Sequence, residues 1–210
     1  MTSSSFTQIG SDIDGVAGYE SNNLVSLSAD GSTVAIGAHY NNGSGSDSGH
    51  VRIYKNVNDT WTQVGSDING EAANDLSGYS VSLSSDGSIV AIGAYGNDGN
   101  GNDSGHVRIY QNVNNIWTQV GADIDGEAAS DYSSYSVSLS SDGSVVAIGA
   151  PYNDGNGNDS GHVRIYKNFN NIWTQVGADI DGEAADDSSG FSFSLSSDGS
   201  VIAIGAHGND

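Results

Sequence analysis

Apolar and small polar residues alternate along much of this chain, and clusters of Gly, Asn, Asp and Ser interrupt the alternation. In Tyr79-Ser80-Val81-Ser82-Leu83 the period of two predicts a strand with one packed face and one closely approached face. Ser85-Asp86-Gly87 then predicts a short hairpin turn, because Gly supplies the positive φ such a turn needs. Ile89-Val90-Ala91-Ile92-Gly93-Ala94 is apolar on both faces and rich in β-branched residues, the pattern of a strand covered on both sides. After a longer Gly/Asn/Asp loop, His106-Val107-Arg108-Ile109-Tyr110 predicts a third strand. A turn over Asn112 to Asn115 leads to a fourth, from Ile116 to Ile124, whose Trp117 covers apolar surface at the outer edge. Nothing combines helical periodicity with a cap and adequate length; Asp125-Gly126-Glu127-Ala128-Ala129 makes one turn at most.

This four-strand pattern recurs. Trp61, Trp117 and Trp173 lie 56 residues apart, as do Asp30, Asp86, Asp142 and Asp198 of the Asp-Gly-Ser turn. The units are 6–60, 61–116, 117–172 and 173–210, the last being shorter. Near-identical four-stranded units that cannot bury their faces alone predict an all-β fold, a β-propeller of antiparallel blades with about four blades present. Phe6 to Ile13 reads as a lone outer strand, and 173–210 holds only two inner strands. The expectation is therefore a part of a larger propeller, or a ring completed by another copy through unpaired blade edges.

The stretch from Gly78 to Ala94, repeated four times, resembles the FG-GAP repeat family, the blade unit of integrin-α-type propellers, in a cysteine-free microbial branch. The Phe-Gly half reads Ser77-Gly78, Ser133-Ser134 and Ser189-Gly190, and only Gly149-Ala150-Pro151 keeps the full Gly-Ala-Pro. The resemblance implies a non-catalytic interaction or adhesion module of a secreted or cell-surface protein, with a protein or glycan partner. A lectin-like propeller is the nearest variant, and Tyr40, Tyr95 and Tyr152 are its candidate binding residues. A propeller attached to polysaccharide or phosphoester cleavage is the rival reading. The family's calcium loop between the first two strands has shrunk here to Ser85-Asp86-Gly87-Ser88, too short to wrap that ion.

Charge sharpens the picture. Against 26 acidic residues stand 5 Lys and Arg, for a net charge of −21, with no cysteine. Such a surface repels nucleic acid and anionic lipid, and no apolar run suits membrane insertion or a signal peptide. Acidic and amide residues concentrate in one loop per unit: Asp98, Asn100, Asn102 and Asp103, then Asp154, Asn156, Asn158 and Asp159. Alternating oxygen donors among glycines suit calcium, and they are equally what an ordinary hairpin loop demands; no cofactor is otherwise required. A second acidic group, Asp123, Asp125, Glu127 and Asp131, recurs as Asp67, Glu71 and Asp75 and as Asp179, Asp181, Glu183, Asp186 and Asp187. Identical copies argue against an acid–base pair, so no catalytic residue is assigned and a solvated blade-to-blade connection is expected. His50, His106 and His162 open the third strands and are expected to cap strand edges through local hydrogen bonds; a like ring could bind metal or sense pH. Arg52, Arg108 and Arg164 are expected to pair with acidic side chains across blade contacts. No nucleophile elbow, Walker loop or dinucleotide fingerprint occurs.

Overall fold

The computed structural model describes residues 5–15 and 24–210. Among these residues there are seventeen strands and no helix. Counted by sheet rather than by the sequence spans above, unit one contains β1 (Leu24–Leu27), β2 (Thr33–Ala38), β3 (His50–Val57), β4 (Thr60–Gln63) and β5 (Ile68–Asn69). Unit two contains β6 (Ser80–Leu83), β7 (Ile89–Ala94), β8 (His106–Val113), β9 (Ile116–Gln119) and β10 (Ile124–Asp125). Unit three repeats this with β11 (Ser136–Leu139), β12 (Val145–Ala150), β13 (His162–Phe169), β14 (Ile172–Gln175) and β15 (Ile180–Asp181), and unit four supplies β16 (Ser189–Leu195) and β17 (Ile202–Ala206). Each of the first three units forms an antiparallel sheet in chain order, as in β11-β12-β13-β14. First strands of successive units lie against one another, so they form the inner side of a propeller and the Trp-bearing strands its rim.

Several expectations need correction. Residues 6–13 form no strand. Their counterparts in later units, β4, β9 and β14, pair with the third strands β3, β8 and β13. The third strands run three residues further than expected, to Val57, Val113 and Phe169, so the turn narrows to two residues. In unit two these are Asn114 and Asn115, at φ 54° and 62°, the left-handed pair that lets a two-residue turn follow the strand twist.

The fourth strand is also broken. Both β9 and β10 pair with β8, at Val113↔Ile116 and Val107↔Ile124, while Gly121 to Asp123 leaves the ladder. Gly121 sits there at φ +78°, and a Cβ on it would press on Trp173 of the next unit. The break thus seats a neighbour: Trp173 Nε1 donates to Val120 O at 2.8 Å, Trp117 Nε1 to Val64 O at 2.8 Å, and Trp61 Nε1 to Ile9 O at 3.0 Å. Although 6–13 lack strand pairing, they occupy the place of an outer strand, gripped by the same latch.

The core lies between units. One apolar cluster joins Ala35, Val51, Ile53 and Ile68 of unit one to Leu83, Val90 and Ile92 of unit two. A second joins Ala91, Val107, Ile109 and Ile124 to Leu139, Val146 and Ile148. The serines of the inner strands make the close contacts that their alternation predicts. Ser80 Oγ donates to Ser134 O at 2.7 Å, Ser136 Oγ to Gly190 O at 2.7 Å, and Leu139 N to Ser82 Oγ at 2.9 Å. Only a residue without Cβ fits at Gly37 or Gly149, where the incoming Gly78 O or Gly190 O of the next unit fills the space.

Candidate functional site

Strand registers decide what meets at each end of the sheet. Ser80 faces Gly93 and Ala94 faces His106, so first-strand entries, second-strand exits and third-strand entries share one end, with the Asn/Asp loops between them. Aromatic rings gather there in a continuous band. His39 touches Tyr40 and Tyr79 at centroid distances of 4.1 and 5.3 Å. Tyr79 meets Tyr95 at 4.4 Å and Tyr135 at 5.0 Å. Tyr132 bridges Tyr95 and Tyr152 at 5.5 and 5.3 Å, and Phe191 links Tyr135 to His207 at 4.8 and 5.3 Å. Tyr40, Tyr95 and Tyr152 all lie in this band. The sequence reading missed Tyr79, Tyr135 and Phe191, although their 56-residue spacing at the first-strand entry was visible. Burial, with Tyr40 and Tyr135 nearby, pushes the Tyr95 phenol up to about 12, so it stays a neutral donor at any ordinary pH.

Beside the band lie the Asn/Asp loops. Asp98 Oδ1 accepts from Asp103 N at 2.8 Å and Asp154 Oδ1 from Asp159 N at 2.9 Å, closing each loop on itself. The Asn100 amide donates to Gly126 O and Glu127 O at 2.9 and 2.8 Å, and Asn156 does the same to Gly182 O and Glu183 O at 2.8 and 3.0 Å. Asn102 and Asn158 donate to Asp103 and Asp159 at 2.5 and 2.8 Å. The Asn100 and Asn156 amides therefore tie the loop to the following connection. Each Asp103 and Asp159 carboxylate lies near enough to disfavour ionisation of Tyr95 and Tyr152 respectively.

The connection itself is not wholly solvated. Asp75, Asp131 and Asp187 are buried, correcting the solvated reading for these three. Asp131 Oδ2 accepts from Ala128 N at 3.1 Å and from Asn153 Nδ2 at 2.9 Å, and Asp75 and Asp187 accept from Ala72 N and Ala184 N at 2.9 Å. Burial raises the Asp131 carboxyl above its ordinary range, against the pull of those hydrogen bonds. A buried carboxylate needs such donors, so these residues shape the Glu-Ala-Ala turn.

The histidines and arginines face the seams between units. His50, His106 and His162 are buried, with Nδ1 at 3.8, 3.7 and 3.8 Å from Asp67, Asp123 and Asp179, beyond hydrogen-bond length. His106 Nε2 and His162 Nδ1 have no hydrogen-bond partner, so these two do not make the local bonds expected of strand-edge caps. Burial, then the adjacent Arg108, lowers the His106 imidazole to about 4, and burial and Arg164 lower His162. Arg164 binds Asp179 of its own unit at 3.0 and 2.8 Å and also Glu127 of the preceding connection. Arg108 reaches Glu71 across the seam at 3.4 Å and donates to Asn69 O at 2.9 Å. Arg52 binds Asp67 within its own unit at 3.0 and 2.8 Å. Pairing across a contact therefore holds for Arg108 and Arg164, and Arg52 and Arg164 each bind an Asp of their own unit.

Three shallow, equivalent grooves lie at the rim. One, of about 390 Å³, is lined by Asp67, Ile68, Tyr110, Asn115 and Trp117; counterparts of about 300 Å³ hold Asp12, Tyr54 and Trp61, and Asp123, Tyr166 and Trp173.

The FG-GAP repeat model matches residues 68–110 and 122–166. No curated protein matches the sequence. Among solved structures, hydrazine synthase from Kuenenia stuttgartiensis superposes with a TM-score of 0.56 at 13% identity, over 91% of this chain and 44% of that one. A Bacteroides uniformis protein described as a 6-phosphogluconolactonase superposes with a TM-score of 0.57 at 13% identity, over 85% of this chain and 45% of that one. At such identities the likeness concerns the fold alone, and the chain spans less than half the length of either structure.

Proposed function

The chain carries repeats of the FG-GAP family, and from that premise we propose that it is a non-catalytic interaction module of a secreted or cell-surface protein, docking a protein partner through the aromatic end of its propeller. One observation carries the reading: rings from all four units form one uninterrupted band, from Tyr40 to His207. Aromatic side chains supply much contact area for little conformational entropy, and Tyr adds a hydroxyl at the rim. A rigid scaffold beneath, tied from unit to unit by serine and tryptophan hydrogen bonds, preorganises that surface. Chemistry would require one unit to differ from the rest, whereas the polar groups here recur at equal spacing.

The test is binding of the purified chain to a panel of extracellular-matrix and cell-surface proteins, measured for wild type and for Tyr40→Ala and Tyr152→Ala. A tenfold or greater loss in either variant, with an unchanged melting temperature, is expected. A partner whose affinity neither substitution touches would overturn docking at this end.

A lectin-like function is favoured by a different feature, the repeated Asp/Tyr/Trp grooves at the rim. Aromatic faces beside hydrogen-bonding carboxylates suit sugar rings, and equal spacing suits a repeating glycan. On a glycan array this reading expects a signal that Tyr152→Ala leaves intact and Trp117→Phe weakens; no glycan binding would remove it.

A further inference from the structure

Two clusters of one composition stand at the seams between the first three units: Glu71, His106 and Asp123, and Glu127, His162 and Asp179. In each, one nitrogen and two carboxylate oxygens lie within 4.8 Å of one another. We propose that each cluster binds a divalent cation of the zinc class, held by the imidazole and by one oxygen from each carboxylate.

The second cluster shows why. His162 is buried, yet its Nδ1 has no hydrogen-bond partner, which is uncommon for a buried polar atom. That nitrogen faces Asp179 Oδ2 at 3.8 Å and Glu127 Oε2 at 4.0 Å, too far to bond either directly. A tetrahedral ion with bonds of about 2.0–2.2 Å holds its ligands roughly 3.3–3.6 Å apart, so a closure of a few tenths of an ångström brings the imidazole into that range of both carboxylates. Glu127 is the half-exposed member.

Arg164 does not block the site. It bonds Glu127 through Oε1, leaving Oε2 toward the imidazole, and it holds Asp179 through both oxygens while Gln175 supports Oδ1 at 2.6 Å. This is how an outer shell orients ligands. Two carboxylates against one guanidinium still leave negative charge at the seam. In the first cluster Arg108 turns instead toward Asn69 O and Glu71, and Gln119 holds Asp123 Oδ1 at 2.5 Å. One nitrogen and two oxygens select a borderline cation over calcium, which wants six or more oxygens.

Each ion would join a Glu of one unit to a His and an Asp of the next, so binding must also stabilise the seam. Calorimetric titration of the chelator-stripped chain with zinc chloride is expected to give two equivalents and a higher melting temperature. His106→Gln and His162→Gln are each expected to remove one equivalent, and Glu127→Gln, at a half-exposed position that the fold tolerates, to weaken the second at least tenfold. Asp154→Asn in the loop and His207→Gln are expected to change neither count. Zinc binding that survives in the His106→Gln/His162→Gln double variant, or in Glu127→Gln unweakened, would show an adventitious ion only and overturn the proposal, as would no binding by the wild type.

Discussion

Ile68, Ile124 and Ile180 are the same residue at the same place in three successive units, yet the first two are 7% and 6% exposed and the third is 39% exposed. Leu83 and Leu139 are likewise buried at 8% and 7%, while Leu27 is 59% exposed. Nothing in the unit's own sequence accounts for the contrast. What differs is the neighbour. Ile68 and Ile124 lie under the next unit's Tyr110 and Trp117, or Tyr166 and Trp173, whereas unit four supplies strands β16 and β17 alone. A blade of this kind owns only half of its core, so stability resides in the seams.

The largest test of that contrast is Ile92→Ala against Ile204→Ala. Ile92 is wholly buried at a seam, and its truncation should cost about 2–5 kcal/mol. Ile204 occupies the equivalent, partly exposed place in unit four, and its loss should cost about 1 kcal/mol or less. Equal losses in chemical denaturation would break the argument. Next comes Gly149→Ala against Gly205→Ala. A Cβ at 149 collides with Gly190 O and Ser136 Oγ, whereas at 205 it meets only Ser192 at 3.0 and 3.3 Å. The first should cost about 1–3 kcal/mol, and the second should be milder.

Trp117→Phe keeps a ring on the seam but deletes the hydrogen bond to Val64 O. A loss of about 1 kcal/mol is expected, with Trp61→Phe losing less because its acceptor, Ile9 O, belongs to a segment outside any strand. The smallest effect concerns the Asp-Gly-Ser turns, which sit alike in every unit. Hydrogen bonds from Ser144 and Ser140 hold the Asp142 carboxyl below its ordinary value, and Ser196 and Ser200 bring Asp198 down to about 2. A carboxyl whose folded pKa is depressed adds stability above its unfolded pKa, and that part is lost as pH falls through the folded one. Asp142→Asn should therefore be slightly less stable than wild type at pH 7 and lose less on acidification; parallel pH profiles would contradict this.

Much of the fold was legible because repetition amplifies weak local signals. Four copies of an alternating strand, an Asp-Gly-Ser turn and an apolar strand leave little room for another architecture, and β7 spans the predicted Ile89–Ala94. The breaks in the fourth strand were not legible, since Val120 to Asp123 continue an acceptable β pattern. They exist because another unit's Trp needs a carbonyl to bind. The same holds for the site residues. Tyr40, Tyr95 and Tyr152 could be named from the second-strand exits, whereas their meeting with Tyr79, Tyr135 and Phe191 depends on how first strands of neighbouring units align.

Sequence alone thus determined the unit's period, its first two strands with the turn between them, and the acidic loop that each unit carries. The tertiary structure decided everything that crosses from one unit to the next. Glu71 could be placed beside His106 and Arg108, or Glu127 beside His162 and Arg164, only once the units were stacked. The physical reason is that local propensity and hairpin geometry act over a few residues, while seam contacts join groups some 35 to 55 positions apart through packing that no single unit encodes.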